Sequence, residues 1–73
     1  MTLERGTPVR FTAQLGAVDR GTVLGAIRFV GAVQPGQQGL YQEPILIGKE
    51  PWHIIQFGAW DVPAAEGQFE AIT

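Results

Sequence analysis

The stretch TVLGAIRFVGAV, residues 22–33, has the apolar pattern of a long strand that is covered on both faces. In an extended chain, successive side chains point to opposite faces. Two apolar sets result, namely Val23, Ile27, Phe29 and Val33 on one face and Leu24, Ala26, Val30 and Ala32 on the other. A strand that is apolar on both faces has something packed on each side. We expect the core on one side and a second subunit on the other, with the second set forming the oligomer interface.

Glycine and proline interrupt the rest of the chain at short intervals. The 73 residues include ten glycines and five prolines, which favours short strands and turns over long helices. Gly25 and Gly31 lie inside the long strand, where glycine indicates a bulge or a sharp bend. The sequence therefore predicts an all-β protein, with residues 1–73 forming one domain.

Five strands and one helical turn are expected along the chain. The segments are a first strand within GTPVRFTAQLG (6–16), a turn at GAVDRG (16–21), the second strand (22–33), a third in LYQEPILIGKEP (40–51) that is interrupted or ends near Pro44, a fourth in WHIIQFGAW (52–60), one turn of 3₁₀ helix in DVPAAEG (61–67), and a fifth strand in QFEAI (68–72). Period-2 alternation supports the strands, and a proline near the start followed by a glycine at the end supports the helical turn.

Alternation also predicts particular neighbours. In the fourth strand, Ile55 and Phe57 face opposite to Trp52, Ile54 and Gln56. In the first strand, Val9 and Phe11 alternate with Arg10. We expect Glu70 in the last strand to form an ion pair with Arg10 across the sheet.

The pattern of short strands, with a helical turn before the last one, resembles the SH3-like small barrel. The likeness is carried by GTPVRF (6–11), RGTVLG (20–25), IIQF (54–57) and VPAAEGQFEAI (62–72). It implies a five-stranded barrel with one short 3₁₀ turn before the last strand. The chain is also similar in pattern to stand-alone barrels: the accessory subunit of photosystem I reaction centres, the variable chain of ferredoxin–thioredoxin reductase, and the type II dihydrofolate reductases.

Composition narrows the classes of function. The chain has no cysteine, so disulfides and thiolate metal sites are excluded, and we expect neither a metal nor a cofactor. Five basic residues against seven acidic ones give a net charge of −2, which disfavours nucleic acid as a partner. The N-terminus lacks the pattern of a signal peptide, and no apolar run approaches the roughly 20 residues that span a membrane. We expect a cytoplasmic protein without membrane contact.

Aromatic residues cluster in the second half of the chain and suggest a ligand or partner groove. We assign to it Tyr41, Trp52, Phe57 and Trp60, because exposed aromatics are favoured at binding sites. The resemblance places Trp60 beside the groove of SH3-like barrels. His53, Gln56 and Asp61 are candidate polar contacts. No catalytic residue is assigned, since His53 has no serine or cysteine to activate.

These observations favour a non-catalytic binding or assembly module over an enzyme. A domain this small buries only about 60 to 65% of its unfolded surface, so we expect it to self-associate and to bind a protein or a small apolar ligand. One alternative is a pore-type oligomeric enzyme, as the resemblance to type II dihydrofolate reductases implies. Ile55, Gln56 and Phe57 would stand for part of that family's Val-Gln-Ile-Tyr motif, although its tyrosine is replaced by Gly58. The other alternative is a barrel that binds single-stranded nucleic acid through Arg10, Arg28 and the aromatics.

Overall fold

The computed structural model describes residues 3–19 and 28–72, and these form one antiparallel sheet of seven strands. The strands are β1 (Pro8–Phe11), β2 (Leu15–Asp19), β3 (Phe29–Val33), β4 (Gln38–Ile47), β5 (Glu50–Phe57), β6 (Trp60–Ala64) and β7 (Phe69–Ala71). Their order across the sheet is β3-β2-β6-β5-β4-β1-β7, and the sheet curls into a half-barrel. No helix occurs within the described ranges. The all-β prediction is confirmed, but the sheet has seven strands and not five.

Two-residue turns join β4, β5 and β6 into a meander. Ile47 pairs with Glu50 across the first turn, and Phe57 pairs with Trp60 across the second. Each turn begins with a glycine at positive φ, 64° at Gly48 and 60° at Gly58. A two-residue hairpin of type II′ requires glycine at that position. The fourth predicted strand (52–60) is therefore wrong at its end, since it turns at Gly58 and places Trp52 and Trp60 on different strands.

Two hydrophobic clusters lie on opposite faces of the sheet. The main core consists of Val9, Phe11, Leu15, Ala17, Val33, Tyr41, Ile55, Val62 and Ala64. A smaller cluster consists of Val18 and Ile54, against which Ile45 and Ile47 pack. The predicted opposition of Ile54 and Ile55 is confirmed by their membership of different clusters.

The turn predicted at GAVDRG (16–21) is wrong over the part that the structure describes. Gly16 to Asp19 belong to β2, where Ala17 is buried in the main core and Val18 is buried in the smaller cluster. The segment is covered on both faces, since Ala17 and Val18 are both buried but in different clusters. β2 is one of the two strands beyond the predicted five, and β6 is the other.

The helical turn predicted at DVPAAEG (61–67) is also not found. Asp61 to Ala64 lie in β6, with Val62 and Ala64 fully buried. The pairing with β2 involves only Trp60 and Asp61. Pro63 lies beyond this pairing, so no hydrogen bond to β2 is lost because proline has no N–H. A turn closed by the Gln68 N–H and the Ala65 carbonyl, at 3.1 Å, then leads to β7.

Pro44 does not end the third predicted strand. β4 continues through it to Ile47, and Pro44 pairs with His53 of β5. β1 pairs with β4 only from Gln38 to Leu40, so Pro44 again lies where no second neighbour needs its N–H. The register shifts at Gln42, which has no opposite residue on β5.

Only the end of the long predicted strand lies in the described part of the chain. Val23, Leu24, Gly25, Ala26 and Ile27 lie outside it, and Phe29–Val33 form β3 at one end of the sheet. Beside Gly31, the β2–β3 register shifts by one residue and leaves Val30 unopposed. The irregularity predicted at Gly31 is confirmed.

Candidate functional site

An apolar groove of about 320 Å³ lies on the face of the sheet that carries the smaller cluster. It is formed by the β2–β3 hairpin, the end of β4, the start of β5, β6 and the turn before β7. The lining residues are Gln14, Leu15, Gly16, Phe29, Ile47, Trp52, Pro63 and Gln68. None of them is charged, so the groove has the chemistry to hold apolar groups, with the side-chain amides of Gln14 and Gln68 as polar contacts.

Phe29 forms one wall of this groove because Gly16 has no side chain. A Cβ added at Gly16 would lie 2.4 Å from Cδ1 of the Phe29 ring, closer than carbon atoms approach without a clash. The ring therefore rests against the backbone of β2. It remains 64% exposed, which is a large apolar exposure for a protein of this size.

Ile47 connects the groove to the smaller cluster. It lines the groove and also packs against Val18 and Ile54, which are 0% and 8% exposed. Behind the groove there is thus a packed apolar floor. A ligand would contact side chains held by neighbours, which lowers the entropy cost of binding.

The structure separates the four aromatic residues assigned to a groove from the sequence. Trp52 lines the apolar groove. Tyr41 is 1% exposed and belongs to the main core. Phe57 and Trp60 pack against that core, with ring centroids 6.4 Å apart. Of the four, only Trp52 is among the residues that line this groove.

Gln56 and Asp61 are held within the sheet. The side-chain amide of Gln42 donates a hydrogen bond to Gln56 Oε1. Asp61 is 6% exposed and lies opposite Val18 and Gln56 in the strand pairing. Their roles as ligand contacts stay predictions.

His53 lines a second cavity, of about 160 Å³, on another part of the sheet. Its Nδ1 is 2.7 Å from the Tyr41 hydroxyl, and its Nε2 is 3.7 Å from Glu66 Oε1. With the imidazole proton on Nε2, Nδ1 accepts a hydrogen bond from the phenol. Burial, and secondarily the negative charge of Glu66, raise the pKa of Tyr41 above its usual value. Phe69 contacts both rings, at centroid distances of 6.1 and 5.2 Å.

Sequence reasoning missed most of the groove. Alternation places Phe29 on a core-facing side, and the sequence predicts a turn at Gly16 and a helical turn at Pro63, yet all three line the groove. One signal of the groove in the sequence is the apolar run PILI, residues 44–47, before Gly48. A strand with such a run is apolar on both faces, and in an antiparallel sheet it therefore has an apolar surface outside the main core.

No known protein family, curated protein or solved structure is detectably similar to this chain. In the part of the chain that the structure describes, no helix is long and apolar enough to cross a bilayer. The fold and the site define a small all-β protein with an apolar groove on the outside of its sheet.

Proposed function

We propose that the protein is a non-catalytic binding module whose groove, centred on Trp52, takes an apolar segment of a partner protein. The observation that carries the proposal is the uncharged lining, backed by the cluster of Val18 and Ile54 on the outer face. A chain of 73 residues has little apolar surface to spare for its own stability. Apolar side chains grouped outside the main core are typical of an interaction site.

The strand order supports a finer proposal, that the chain has an SH3-like small barrel. Five strands, β7-β1-β4-β5-β6, are consecutive in the sheet. In the sequence, the β2–β3 hairpin is inserted between β1 and β4, and in the sheet β2 pairs with β6. On this proposal, the groove lies between the inserted hairpin and the barrel.

The groove fits a protein segment better than a small molecule. Small-molecule pockets range from about 300 to 1,000 Å³ and enclose 70 to 90% of the ligand surface. This groove is at the lower limit, at about 320 Å³, and one wall is the exposed Phe29 ring. A few apolar side chains of an extended segment can fill it while the rest of that segment stays in solvent.

The two alternative hypotheses, a pore-type oligomeric enzyme and a barrel that binds single-stranded nucleic acid, gain no support from the geometry. A shared pore would need Ile55 at a subunit surface, whereas its side chain is fully buried. A nucleic-acid face would need the charge of Arg10, whose guanidinium forms an ion pair with Glu70 at 2.6 Å. Arg28 is exposed beside β3, so of these two arginines only Arg28 does not share its charge with Glu70.

Selection of peptides from a phage-displayed library tests the proposal. The affinity of each selected peptide would be measured by fluorescence anisotropy for the wild type and for Trp52→Ala, with Leu46→Ala as the matched control. Leu46 is an apolar residue that is 66% exposed and does not line the groove. We expect Trp52→Ala to weaken binding at least tenfold, about 1.4 kcal/mol, and the control to change it less than twofold. Failure to select any peptide, or equal affinity for wild type and Trp52→Ala, would refute the proposal.

A further inference from the structure

The two edges of the sheet differ in how they are protected from other strands. A free edge presents unpaired backbone N–H and C=O groups, and natural proteins guard such edges with short strands, charges, proline or β-bulges. The edge strand β7 has three residues, and Glu70 is in its middle. The edge strand β3 has five residues, FVGAV, without a charge or a proline, and its one protecting device is the bulge at Val30.

β3 also presents apolar side chains to solvent. Phe29 is 64% exposed, Val30 is 40% exposed, and Ala32 is exposed as well. β2 pairs with one side of β3, and no other strand among the described residues pairs with its remaining side. Unpaired backbone groups and exposed apolar side chains therefore coincide on this edge.

We propose that β3 pairs with β3 of a second copy of this chain, antiparallel and across a twofold axis. This inference goes beyond ligand binding in the groove and does not depend on it. The resulting interface is isologous, so the same edge of each copy is covered. The two half-barrel sheets then become one continuous sheet.

The residues around β3 favour a second copy as the occupant. In a twofold antiparallel pair, the start of one strand lies beside the end of the other. Arg28, just before β3, thus lies near the partner copy's uncharged C-terminal end of β3, which is followed by Gln34 and Pro35. The two arginines are kept apart, and no like charges oppose each other within the strands. Specific recognition of a foreign strand relies on pockets for its side chains. Gly31 has no side chain and Ala32 has only a methyl group, so neither residue can form the wall of such a pocket.

The size of the contact sets the expected strength. A pair of five-residue strands buries less than the roughly 1,200 Å² of a stable standard interface. We therefore expect a reversible dimer whose population rises with protein concentration. Sedimentation velocity from about 5 to 500 μM, a range that covers weak association, would show a shift from 7.9 kDa toward twice that mass.

Ala32→Lys tests the edge and Leu46→Lys is its control. Both positions are exposed, and in the dimer the first change brings two positive charges close together on the shared sheet. We expect Ala32→Lys to stay monomeric over the whole range and Leu46→Lys to dimerise as the wild type does. A wild type that is monomeric throughout, or a loss of dimer that is equal in both variants, would overturn the proposal.

Single-cysteine variants make the test independent of charge effects on folding. The chain has no cysteine, so Ala32→Cys and Leu46→Cys each introduce a unique thiol. A short bis-maleimide should link Ala32→Cys into a covalent dimer at least tenfold faster than Leu46→Cys at the same concentration. Equal rates would contradict the twofold pairing of β3.

Discussion

Ionisation of Tyr41 should destabilise the protein at alkaline pH. The phenol is 1% exposed and lies 2.7 Å from His53 Nδ1. Burial first, and then the charge of Glu66, raise its pKa above the usual value of about 10. Because the native state holds the proton more tightly than the unfolded state does, this group leaves stability unchanged below pH 10. Stability then falls as the pH rises from about 10 through the pKa of the folded state.

The size of the loss can be obtained from one titration. Each unit by which folding raises the pKa corresponds to about 1.4 kcal/mol of stability lost above the folded pKa. Tyr41 is the only tyrosine in the chain, so phenolate absorbance at 295 nm reports this residue alone. The midpoint should be above 10 in the native protein and near 10 in concentrated urea, with tryptophan emission used to verify that the native sample is folded.

Tyr41→Phe separates the hydrogen bond from the ionisation. The variant lacks the contact with His53, which we expect to cost about 0.5 to 1.5 kcal/mol at neutral pH. It should also lose the part of the alkaline destabilisation that comes from this phenol. A native midpoint at or below 10, or the same alkaline decline in Tyr41→Phe as in the wild type, would show that burial does not control this group.

Three further changes probe the fold by urea unfolding. The coupling energy of Arg10 and Glu70, measured in a double-mutant cycle, should be below about 1 kcal/mol and decrease with salt, because both side chains are about half exposed, 48% and 52%; a larger, salt-independent value would contradict this. Gly39→Ala should lower the stability by about 1 to 3 kcal/mol, since the new Cβ would lie 2.7 Å from the Gln56 carbonyl oxygen. An unchanged urea midpoint would mean that β4 and β5 move apart to admit the methyl group without a loss of stability. Ile55→Val should cost about 0.5 to 1.5 kcal/mol, because Ile55 is fully buried; no change would place it outside the rigid core.

Features that depend on alternation within one strand could be predicted from the sequence. Val9 and Phe11 are 0% and 1% exposed while Arg10 between them faces solvent. The predicted partner of Arg10 across the sheet, Glu70, is 2.6 Å away. Side-chain direction in a strand follows from the period of two alone, so such predictions need only local information.

The ends of strands could not be predicted because they depend on distant neighbours. Pro63 reads as the start of a helical turn, yet it lies within β6 at a point beyond the pairing with β2. Whether a proline fits a strand depends on whether a second strand needs its N–H. The second strand here is β2, which is separated from Pro63 by more than half of the chain. The residues near Pro63 therefore do not indicate where the pairing with β2 ends.

The candidate site was predicted only in part for a similar reason. Trp52 was expected in a groove and lines one, whereas Tyr41 is in the core because its hydroxyl meets His53 there. An aromatic residue with a polar tip can be buried when the tip finds a partner, and that partner comes from the neighbouring strand. Phe29 reaches the groove only because the β2–β3 hairpin places it over Gly16.

The pairing of β1 with β7 also constrains the order in which the protein folds. Arg10 and Glu70 face each other although they are 60 residues apart in the chain, whereas the two-residue turns at Gly48 and Gly58 join strands that are adjacent in sequence. Hairpins form in about 1 to 10 μs, and contacts between distant segments pay a larger entropy of loop closure. We expect the meander of β4, β5 and β6 to form early, with docking of the chain ends as the late and rate-limiting event.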